Sequence, residues 1–324
     1  MGIAGLGHWG PNLARNFSEL AGAELAWLCE ADDERLAAAA SRHPEARATA
    51  RFEDLLEDPE LDTVVVATPA VTHFELARAA LLADKHVFVE KPIALSATLG
   101  EQLVALAEER GLVLMPGHLL LYHPGVVKLK ELLGSGELGR LLYVYGNRQN
   151  LGKIRRDENA LWSLGAHDLS VILHLVGEEP TEAWARGESF LTQGVEDVVF
   201  CFLRFPSGVI AHMHLSWLDP HKIRQMTVVG DRRMAVFDDM QLERKVTLYD
   251  KGPEQRPEGY GEWLTRTGDI SSPRVAAEEP LRLECAHFLS LVHGVGDRFE
   301  AARTGLAVVR ALEQLQASLE RERV

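Results

Sequence analysis

The stretch Gly5-Leu6-Gly7-His8-Trp9-Gly10, near the start of the chain, decides the fold. It fits the pattern G-x-G-x-x-G, follows a short apolar segment, and precedes a helical pattern that opens at Pro11. A strand, a glycine-rich turn and a helix in this order are typical of dinucleotide-binding folds, because the glycines allow a tight turn and a close approach of the backbone to a pyrophosphate. The free N–H groups of the helix N-terminus are suited to bind the phosphates. The candidate cofactor-binding residues here are Gly5, Gly7, His8, Trp9 and Gly10.

A carboxylate lies at the position where a dinucleotide-binding site needs one. Glu30, 20 residues past Gly10, ends the second predicted strand and is placed to accept hydrogen bonds from an adenosine ribose. Glu30 and Asp32 together would repel a 2′-phosphate, so the sequence predicts NAD in preference to NADP. Arg35 lies close enough in sequence to reverse that preference.

The first 120 residues alternate short apolar segments with helical patterns, which indicates βαβ units and a parallel sheet. The predicted strands are residues 2–5, 24–29, 63–67, 86–89 and 112–115, and the predicted helices are residues 11–19, 33–42, 52–56, 73–83 and 98–110. This pattern predicts an α/β chain whose N-terminal Rossmann domain covers residues 1–120.

The pattern changes beyond the junction at residues 116–124. The strands predicted there are residues 141–148, 198–205, 209–216, 224–229 and 245–249, with a hairpin turn at Ser207-Gly208. Helices are predicted at residues 126–133, 163–175, 281–292 and 305–321, and a long loop at residues 251–279. We therefore expect a C-terminal α+β domain over residues 121–324, with a largely antiparallel open sheet.

Composition excludes several classes of protein. The chain has 324 residues, a length that suits two domains, and its net charge of −14 makes nucleic acid an unlikely partner. No apolar run is long enough to span a bilayer, and the first residues do not resemble a signal peptide. Three widely spaced cysteines form no disulfide framework, which fits a cytoplasmic protein.

Several further motifs occur in order along the chain. They are Ala67-Thr68-Pro69 with His73, Glu90-Lys91-Pro92, Gly117-His118, Tyr122-His123-Pro124, Gly136-Glu137-Leu138-Gly139, and a helix that carries His167-Asp168. Together with the glycine-rich turn they make the sequence resemble the glucose–fructose oxidoreductase / inositol dehydrogenase family (Gfo/Idh/MocA). The resemblance implies a nicotinamide cofactor on the N-terminal domain, and a sugar or polyol between that cofactor and the C-terminal sheet.

The resemblance also implies roles for single residues. It assigns Thr68, Pro69 and His73 to the edge of the cofactor, and Glu90 and Lys91 to the nicotinamide and the substrate. His118 is expected to line the crevice. Pro92 is expected to form a cis peptide bond that fixes the backbone of Lys91 in a tight turn.

Oxidation of a secondary alcohol requires a hydride acceptor, a base for the hydroxyl proton, and donors for the developing alkoxide. Lys91 is the first candidate base, because desolvation beside a cationic ring lowers the pKa of a lysine, and His167 is the second. Many family members carry an aspartate four residues before this histidine, where this chain has Ser163. Either Lys91 and His167 suffice, or Asp168 or Asp157 supplies the carboxylate, or the activity is altered. Asp168 points away from His167 on a helix and is expected to be structural.

A local cluster of cations follows the first strand of the second half. Lys153, Arg155 and Arg156 either form surface ion pairs or bind an anion such as the diphosphate of a nucleotide-sugar. The full set of candidate substrate-binding residues is Lys91, Tyr122, Lys153, Arg155, Arg156, Asn159, Trp162, Ser163 and His167. His212 and His214 share a strand face, but spacing supplies no third ligand, so no metal site is predicted.

The sequence therefore favours an NAD(P)-dependent oxidoreductase of a sugar, sugar acid or nucleotide-sugar. A UDP-sugar 3-dehydrogenase is one enzyme of this kind. The alternatives are an NAD-dependent glycosidase, which would release sugar without net NADH, and a non-catalytic cofactor-binding sensor, which Ser163 alone supports. An open sheet with apolar positions predicts a homodimer or homotetramer.

Overall fold

The computed structural model describes residues 1–152, 154–156, 158–255 and 263–321. The chain divides into two compact units. The first comprises Met1–Leu119 and Glu278–Arg310, and the second comprises Leu120–Ala277 and Ala311–Val324. The division into two domains at residue 120, expected from the sequence, stays a prediction. The compact units group residues 278–310 with the N-terminal residues instead of the C-terminal ones.

Strands and helices alternate through the first third of the chain, and strands dominate the middle. The strands are β1 (Gly2–Ala4), β2 (Trp27–Cys29), β3 (Arg47–Thr49), β4 (Thr63–Val66), β5 (His86–Glu90), β6 (Leu114–Gly117), β7 (Leu141–Gln149), β8 (Glu182–Glu188), β9 (Val198–Arg204), β10 (Ile210–Ser216), β11 (Ile223–Gly230), β12 (Met234–Asp238), β13 (Val246–Gln255) and β14 (Trp263–Ser271). The α-helices are α1 (Gly10–Glu19), α2 (Asp33–Arg42), α3 (Glu53–Glu57), α4 (His73–Leu82), α5 (Ala97–Arg110), α6 (Pro124–Gly134), α7 (Ala166–Val176), α8 (Pro280–Val292) and α9 (Glu300–Arg321).

The first unit contains a parallel sheet in the order β3-β2-β1-β4-β5-β6. This is the doubly wound order, in which ligands bind beyond the carboxyl ends of the strands where the order reverses, here between β1 and β4. The predicted α/β fold class is confirmed. Strand β3 was not predicted, because Arg47–Thr49 is short and largely exposed and contains no large apolar residue.

Three phenylalanines join helices and sheet in the core of this unit. Phe17 of α1, Phe88 of β5 and Phe288 of α8 meet edge to face, with ring centroids 5.7–6.1 Å apart. All three side chains are fully buried. Helix α8, although remote in sequence, is therefore part of the core under the parallel sheet.

The second unit contains a sheet in the order β14-β13-β12-β11-β7-β10-β9-β8, antiparallel except for the β7–β10 pair. The largely antiparallel sheet and the turn at Ser207-Gly208 are confirmed, since Gly208 donates to the carbonyl of Phe205 at 2.9 Å. The loop predicted over residues 251–279 is wrong: β13 runs to Gln255 and β14 follows at Trp263–Ser271, while residues 256–262 lie outside the described residues. Strand β14 is exposed along nearly its whole length, so it lacks the apolar alternation on which strand prediction depends.

The two faces of this second sheet differ. Helix α7 packs on β7 from one side. On the opposite face of the sheet, aromatic rings of neighbouring strands stack. Tyr145 stacks on His212 with ring centroids 4.9 Å apart, and Trp184 stacks on Phe202 with centroids 5.2 Å apart. Among the described residues, no helix is both long enough and apolar enough to cross a membrane.

Candidate dinucleotide and catalytic site

The glycine-rich turn of the first unit leaves no room for a side chain at Gly5 or Gly10. Gly5 has φ +91°, and a Cβ on it would lie 2.6 Å from the carbonyl carbon of Ala67. A Cβ on Gly10 would lie 2.0 Å from the carbonyl oxygen of Gly5. Helix α1 begins at Gly10 with Pro11 in its first turn, and no side chain caps it. Pro11 has no N–H, and the N–H of Asn12 donates to the carbonyl of Trp9 at 2.9 Å, so the N–H groups expected to bind a pyrophosphate are those of the turn and of Gly10.

Glu30 lies beside this turn as predicted from its position. Its Oε2 accepts a hydrogen bond from the backbone N–H of Leu6 at 2.6 Å, and its Oε1 accepts one from that of Asp32 at 3.2 Å. Each carboxylate oxygen can accept a further bond, so the group can still hold ribose hydroxyls. The side chain of Asp32 caps α2 by accepting from the N–H of Arg35 at 2.9 Å. The guanidinium Nη1 of Arg35 lies 3.9 Å from the position of a Cβ at Gly7. These residues fit a dinucleotide.

His73 connects the turns that follow β4 and β5. Its Nδ1 lies 2.7 Å from the carbonyl oxygen of Pro92, and its Nε2 lies 2.9 Å from that of Thr68. Burial lowers the pKa of His73, although the two carbonyls oppose this, and a neutral imidazole can donate to only one of them. The ring is 1% exposed. Its placement therefore serves to hold the two turns, while its contact with the cofactor, like that of Thr68 and Pro69, stays a prediction.

The Glu-Lys-Pro motif lies at the carboxyl end of β5, and the Lys91–Pro92 peptide bond is cis, which confirms that prediction. The carboxyl group of Glu90 packs over Gly117, where a Cβ would lie 3.3 Å from its Cδ and Oε2. Burial raises the pKa of Glu90 to about 7, although the charge and the backbone N–H of Lys91 act in the opposite direction. The sheet thereby places a carboxyl of nearly neutral pKa beside the candidate base.

His118 follows β6 at the same edge of the sheet. It is 3% exposed, and burial, reinforced by the positive charge of Lys91, lowers its pKa to about 4. Neither ring nitrogen has a hydrogen-bond partner among the described residues. The imidazole is therefore neutral at physiological pH, and both nitrogens keep their capacity for hydrogen bonding.

In the second unit, His167 lies just inside α7 and is partly exposed. The helix is preceded by a π-helical turn at Leu161–Gly165, which contains the buried Ser163. In an α-helix, the four-residue spacing of Ser163 and His167 would place them on one face. A π-turn bonds residues five apart, so this relation does not apply unchanged here. The predicted uniform helix over residues 163–175 is wrong in this respect.

Asp168 has a partner that the sequence analysis missed. Its Oδ1 accepts from Nε of Arg148 at 2.9 Å and from Nη2 at 2.6 Å, and both side chains are buried. Its Oδ2 is buried without a partner among the described residues. The pair ties α7 to β7 and supports the structural interpretation of Asp168. The available signal was an arginine on the same strand face of β7 as Val144 and Gly146.

The candidate substrate residues around the cation cluster are differently engaged. Lys153, like Asp157, lies outside the described residues. Arg155 forms an ion pair with Glu158 at 2.5 Å, and Arg156 is exposed. An anion site on these cations stays a prediction.

Asn159 is a buried junction of the second unit. Its Nδ2 donates to Glu196 at 2.7 Å and to Gln316 at 2.9 Å, and its Oδ1 accepts from the N–H of Trp162 at 3.1 Å. Both amide hydrogens are thus engaged, and one acceptor site on Oδ1 remains for a sugar hydroxyl. Trp162 and Tyr122 are partly exposed.

The two strand histidines are held by neighbours on the sheet. His212 stacks on Tyr145, and His214 stacks on Phe200 with centroids 4.4 Å apart. The Nδ1 of His214 also lies 2.6 Å from Nε2 of Gln149. These contacts account for both rings as parts of an aromatic surface.

Comparison with known proteins identifies two family models. The model of the oxidoreductase family with an NAD-binding Rossmann fold, GFO_IDH_MocA, matches residues 1–118, and the GFO/IDH/MocA C-terminal domain matches residues 126–236. UDP-N-acetylglucosamine 3-dehydrogenase from Acidithiobacillus ferrooxidans is 28% identical over 320 residues, which are 98% of this chain and 96% of the relative. 1,5-Anhydro-D-fructose reductase from Ensifer adhaerens is 30% identical over 317 residues, 92% and 91% of the two chains.

Solved structures agree with these matches. The Acidithiobacillus ferrooxidans dehydrogenase GnnA superposes with a TM-score of 0.84 at 27% identity, covering 99% of this chain and 97% of the other. GenD2 from gentamicin A biosynthesis, solved in complex with NAD, superposes with a TM-score of 0.82 at 25% identity, covering 99% and 95%.

Proposed function

This chain belongs to the Gfo/Idh/MocA family of NAD-binding oxidoreductases, and from that premise we propose that it is an NAD-dependent 3-dehydrogenase of a UDP-activated sugar. The observation that carries the choice of substrate is the end-to-end similarity, over 98% of this chain, to a dehydrogenase of UDP-N-acetylglucosamine. The cations Arg155 and Arg156 support it, because a diphosphate requires positive charge in a chain that is otherwise strongly acidic.

NAD, when bound, supplies the acceptor for the hydride of the sugar C–H bond. The chain's own residues manage the proton. Lys91 takes the hydroxyl proton at Nζ, and the neighbouring carboxyl of Glu90 balances the charge that this proton brings. His118, neutral and with free ring nitrogens, holds a polar group of the cofactor or the substrate without competing for the proton.

His167 is the second group proposed to exchange a proton, and Ser163 contributes a hydroxyl that can donate or accept a hydrogen bond but cannot act as an anionic base. Lys91 belongs to the first compact unit and His167 to the second. A role for each is proposed separately, and each is tested by its own substitution.

Oligomerisation through the second sheet belongs to the proposal. Trp184 of β8 and Phe200 of β9 are 46% and 51% exposed, in the same sheet as the stacked Tyr145–His212 pair of β7 and β10. A homodimer or homotetramer would cover such rings. Light scattering on the wild type and on Phe200→Lys should show loss of the oligomer in the variant. An oligomer of unchanged mass would remove Phe200 from the interface.

The function is tested by following NADH formation with UDP-N-acetylglucosamine, other UDP-sugars, free sugars and inositol. We expect turnover with a UDP-sugar, and Lys91→Ala should lower kcat by about 10²- to 10⁴-fold, the usual contribution of general acid–base catalysis. The matched control is Lys128→Ala on α6, whose Nζ pairs with Glu131, and it should keep wild-type kcat.

Three results would change this assignment. Turnover of inositol or a free sugar alone would refute the nucleotide-sugar substrate. Sugar release without net NADH would indicate a glycosidase. Unchanged turnover in both Lys91→Ala and His167→Ala would refute the assigned proton acceptors.

A further inference from the structure

A glutamate lies in the interior of the first unit with no role in the site described so far. Glu284 of α8 is 1% exposed, and its Oε1 has no hydrogen-bond partner among the described residues. An ionised carboxylate in such a position is poorly hydrated, and none of the described residues forms an ion pair with it, which is strongly unfavourable. Burial therefore raises the pKa of Glu284 well above its usual range, and the negative charge of Glu90 raises it further.

Glu90 lies on the same side of β5 as Phe88, and Glu284 lies one helical turn before Phe288 on α8. Because the rings of Phe88 and Phe288 meet with centroids 5.7 Å apart, the strand and the helix bring these two carboxyls towards each other. Glu90 differs from Glu284 in two respects: it is less buried, and it adjoins Lys91, whose charge stabilises the ionised form. The pKa of Glu90 accordingly reaches only about 7. Of the two carboxyls, Glu90 is the one that gives up its proton first.

Other titratable groups surround this pair from each packed element. His118, at the end of β6, is neutral because burial and the charge of Lys91 lower its pKa. Cys285, next to Glu284 on α8, is a neutral thiol whose pKa is raised by burial and then by the charges of Glu284 and Glu90. The positive charge of Arg15 on α1 acts to lower the pKa of Cys285. Arg15 is also ion-paired with Glu279 at the start of α8.

The charge balance follows from these positions. Lys91 supplies one positive charge to two carboxyls in an apolar environment, so the pair can carry one negative charge without an uncompensated second one. That charge rests on Glu90, where Lys91 compensates it. The proton rests on Glu284, which has no ion-pair partner in the described part of the chain.

We propose that Glu90 and Glu284 form a buried carboxyl pair that holds one proton, and that Glu284 is a positioning residue acting on Lys91 through Glu90. Its role in turnover rests on the proposed function, whereas the shared proton is a property of the protein alone. While Glu284 is protonated, Lys91 faces a single carboxylate. When Glu284 ionises at alkaline pH, the second negative charge keeps the proton on Lys91, so its Nζ can no longer accept one from an alcohol.

The direct test compares the wild type with Glu284→Gln, which keeps the shape of the protonated acid but cannot ionise. Difference infrared spectroscopy at about pH 8 should show a protonated carboxyl band in the wild type and not in the variant, since ordinary glutamates are ionised there. Glu284→Asp should keep a protonated carboxyl.

The second readout is the melting temperature across about pH 5 to 9. A carboxyl whose pKa is raised on folding contributes stability that is present below its unfolded value and is lost as the pH rises through the folded value. The melting temperature of Glu284→Gln should therefore gain on the wild type as the pH increases. The matched control, Glu279→Gln at the N-cap of the same helix, should show no slope against the wild type over this range, because Arg15 lowers the pKa of Glu279 and its titration lies below pH 5.

The third readout is the rate at which Lys91 Nζ reacts with an acylating reagent, followed by mass spectrometry without cofactor or substrate. At alkaline pH, Lys91 should react faster in Glu284→Gln than in the wild type, because it loses the second negative charge. Lys128 should react equally in both proteins.

The outcomes separate the two proposals. A wild type without a protonated carboxyl band at pH 8, or a Glu284→Gln variant whose melting slope and Lys91 reactivity match the wild type, overturns the carboxyl pair. If Glu284→Gln does not fold, the wild-type spectrum and the Glu284→Asp slope decide in its place. An intact pair combined with unchanged turnover in Lys91→Ala overturns the proposed function and leaves the pair standing.

Discussion

The ion pair between Arg148 and Asp168 should stabilise the second unit far more than an exposed pair of the same geometry. The side chains are 11% and 4% exposed, and two bonds of 2.9 and 2.6 Å join them. Asp168→Ala leaves the guanidinium buried without its counter-charge, an effect that costs about 3–5 kcal/mol. At about 2–4 °C per kcal/mol for a unit of this size, the melting temperature should fall by roughly 6–20 °C.

The chain offers a matched comparison in the first unit. Arg303 binds one oxygen of Glu108 through Nε at 2.9 Å and Nη2 at 2.7 Å, but these side chains are 57% and 39% exposed. Glu108→Ala should cost at most about 1 kcal/mol, because water replaces the lost partner.

The assay is urea unfolding of both variants, followed by fluorescence and by calorimetry. Replacing both partners, as in Arg148→Met with Asp168→Leu, should recover most of the loss, since no charge is then left unpaired. Equal losses for Asp168→Ala and Glu108→Ala would refute the argument that burial decides the strength of these pairs. A double variant no more stable than Asp168→Ala would refute the role of the unpaired charge.

Three further predictions concern the first unit. Glu30→Ala should weaken NAD binding by about 10- to 100-fold, the value of a charge-assisted hydrogen bond, and improve the ratio of NADP to NAD affinity in calorimetric titration; an unchanged ratio would exclude Glu30 from cofactor selection. Gly10→Ala should abolish NADH binding and lower the melting temperature, because its Cβ would lie 2.0 Å from a carbonyl oxygen, whereas Gly134→Ala, with nothing within 4 Å, should bind NADH as the wild type does. Because burial lowers the pKa of His118 from 6.5 to about 4, the wild type should lose roughly 3 kcal/mol of stability as the pH falls through this range, and His118→Leu should lack this slope in denaturant titrations. A slope shared by both proteins would assign the loss to other groups.

Local patterns predicted most of the buried elements, but they missed β8 and also β12, although every second residue of β12 is buried. The glycine-rich turn at Gly5–Gly10 and the placement of Glu30 follow from short-range rules of backbone and charge, and the structure shows the turn as expected. Strands β3 and β14 were missed because their side chains are largely exposed, so burial imposes no pattern on them.

The partners of buried polar groups could not be predicted, because they come from distant parts of the chain. Asn159 bonds Gln316 across 157 positions, and Arg148 bonds Asp168 from a different element. The sequence does indicate an unusual environment for Glu284, which occupies the same helix face as Phe288 in a segment of apolar residues. A charged residue on an apolar helix face indicates an unusual environment, but the sequence does not name the group that faces it.

The aromatic core of the first unit has a consequence for how the polypeptide is made on the ribosome. Phe17 and Phe88 emerge early, but Phe288, which packs against both, lies beyond the whole intervening segment of the second unit. At about 5–20 residues per second, roughly ten to thirty seconds of synthesis separate the parallel sheet from the helix that completes its core. During that interval the nascent sheet exposes apolar rings. This is therefore the period of synthesis in which chaperones would be needed most. Helix α8 can join the sheet only after the segment Leu120–Ala277 of the second unit has been translated.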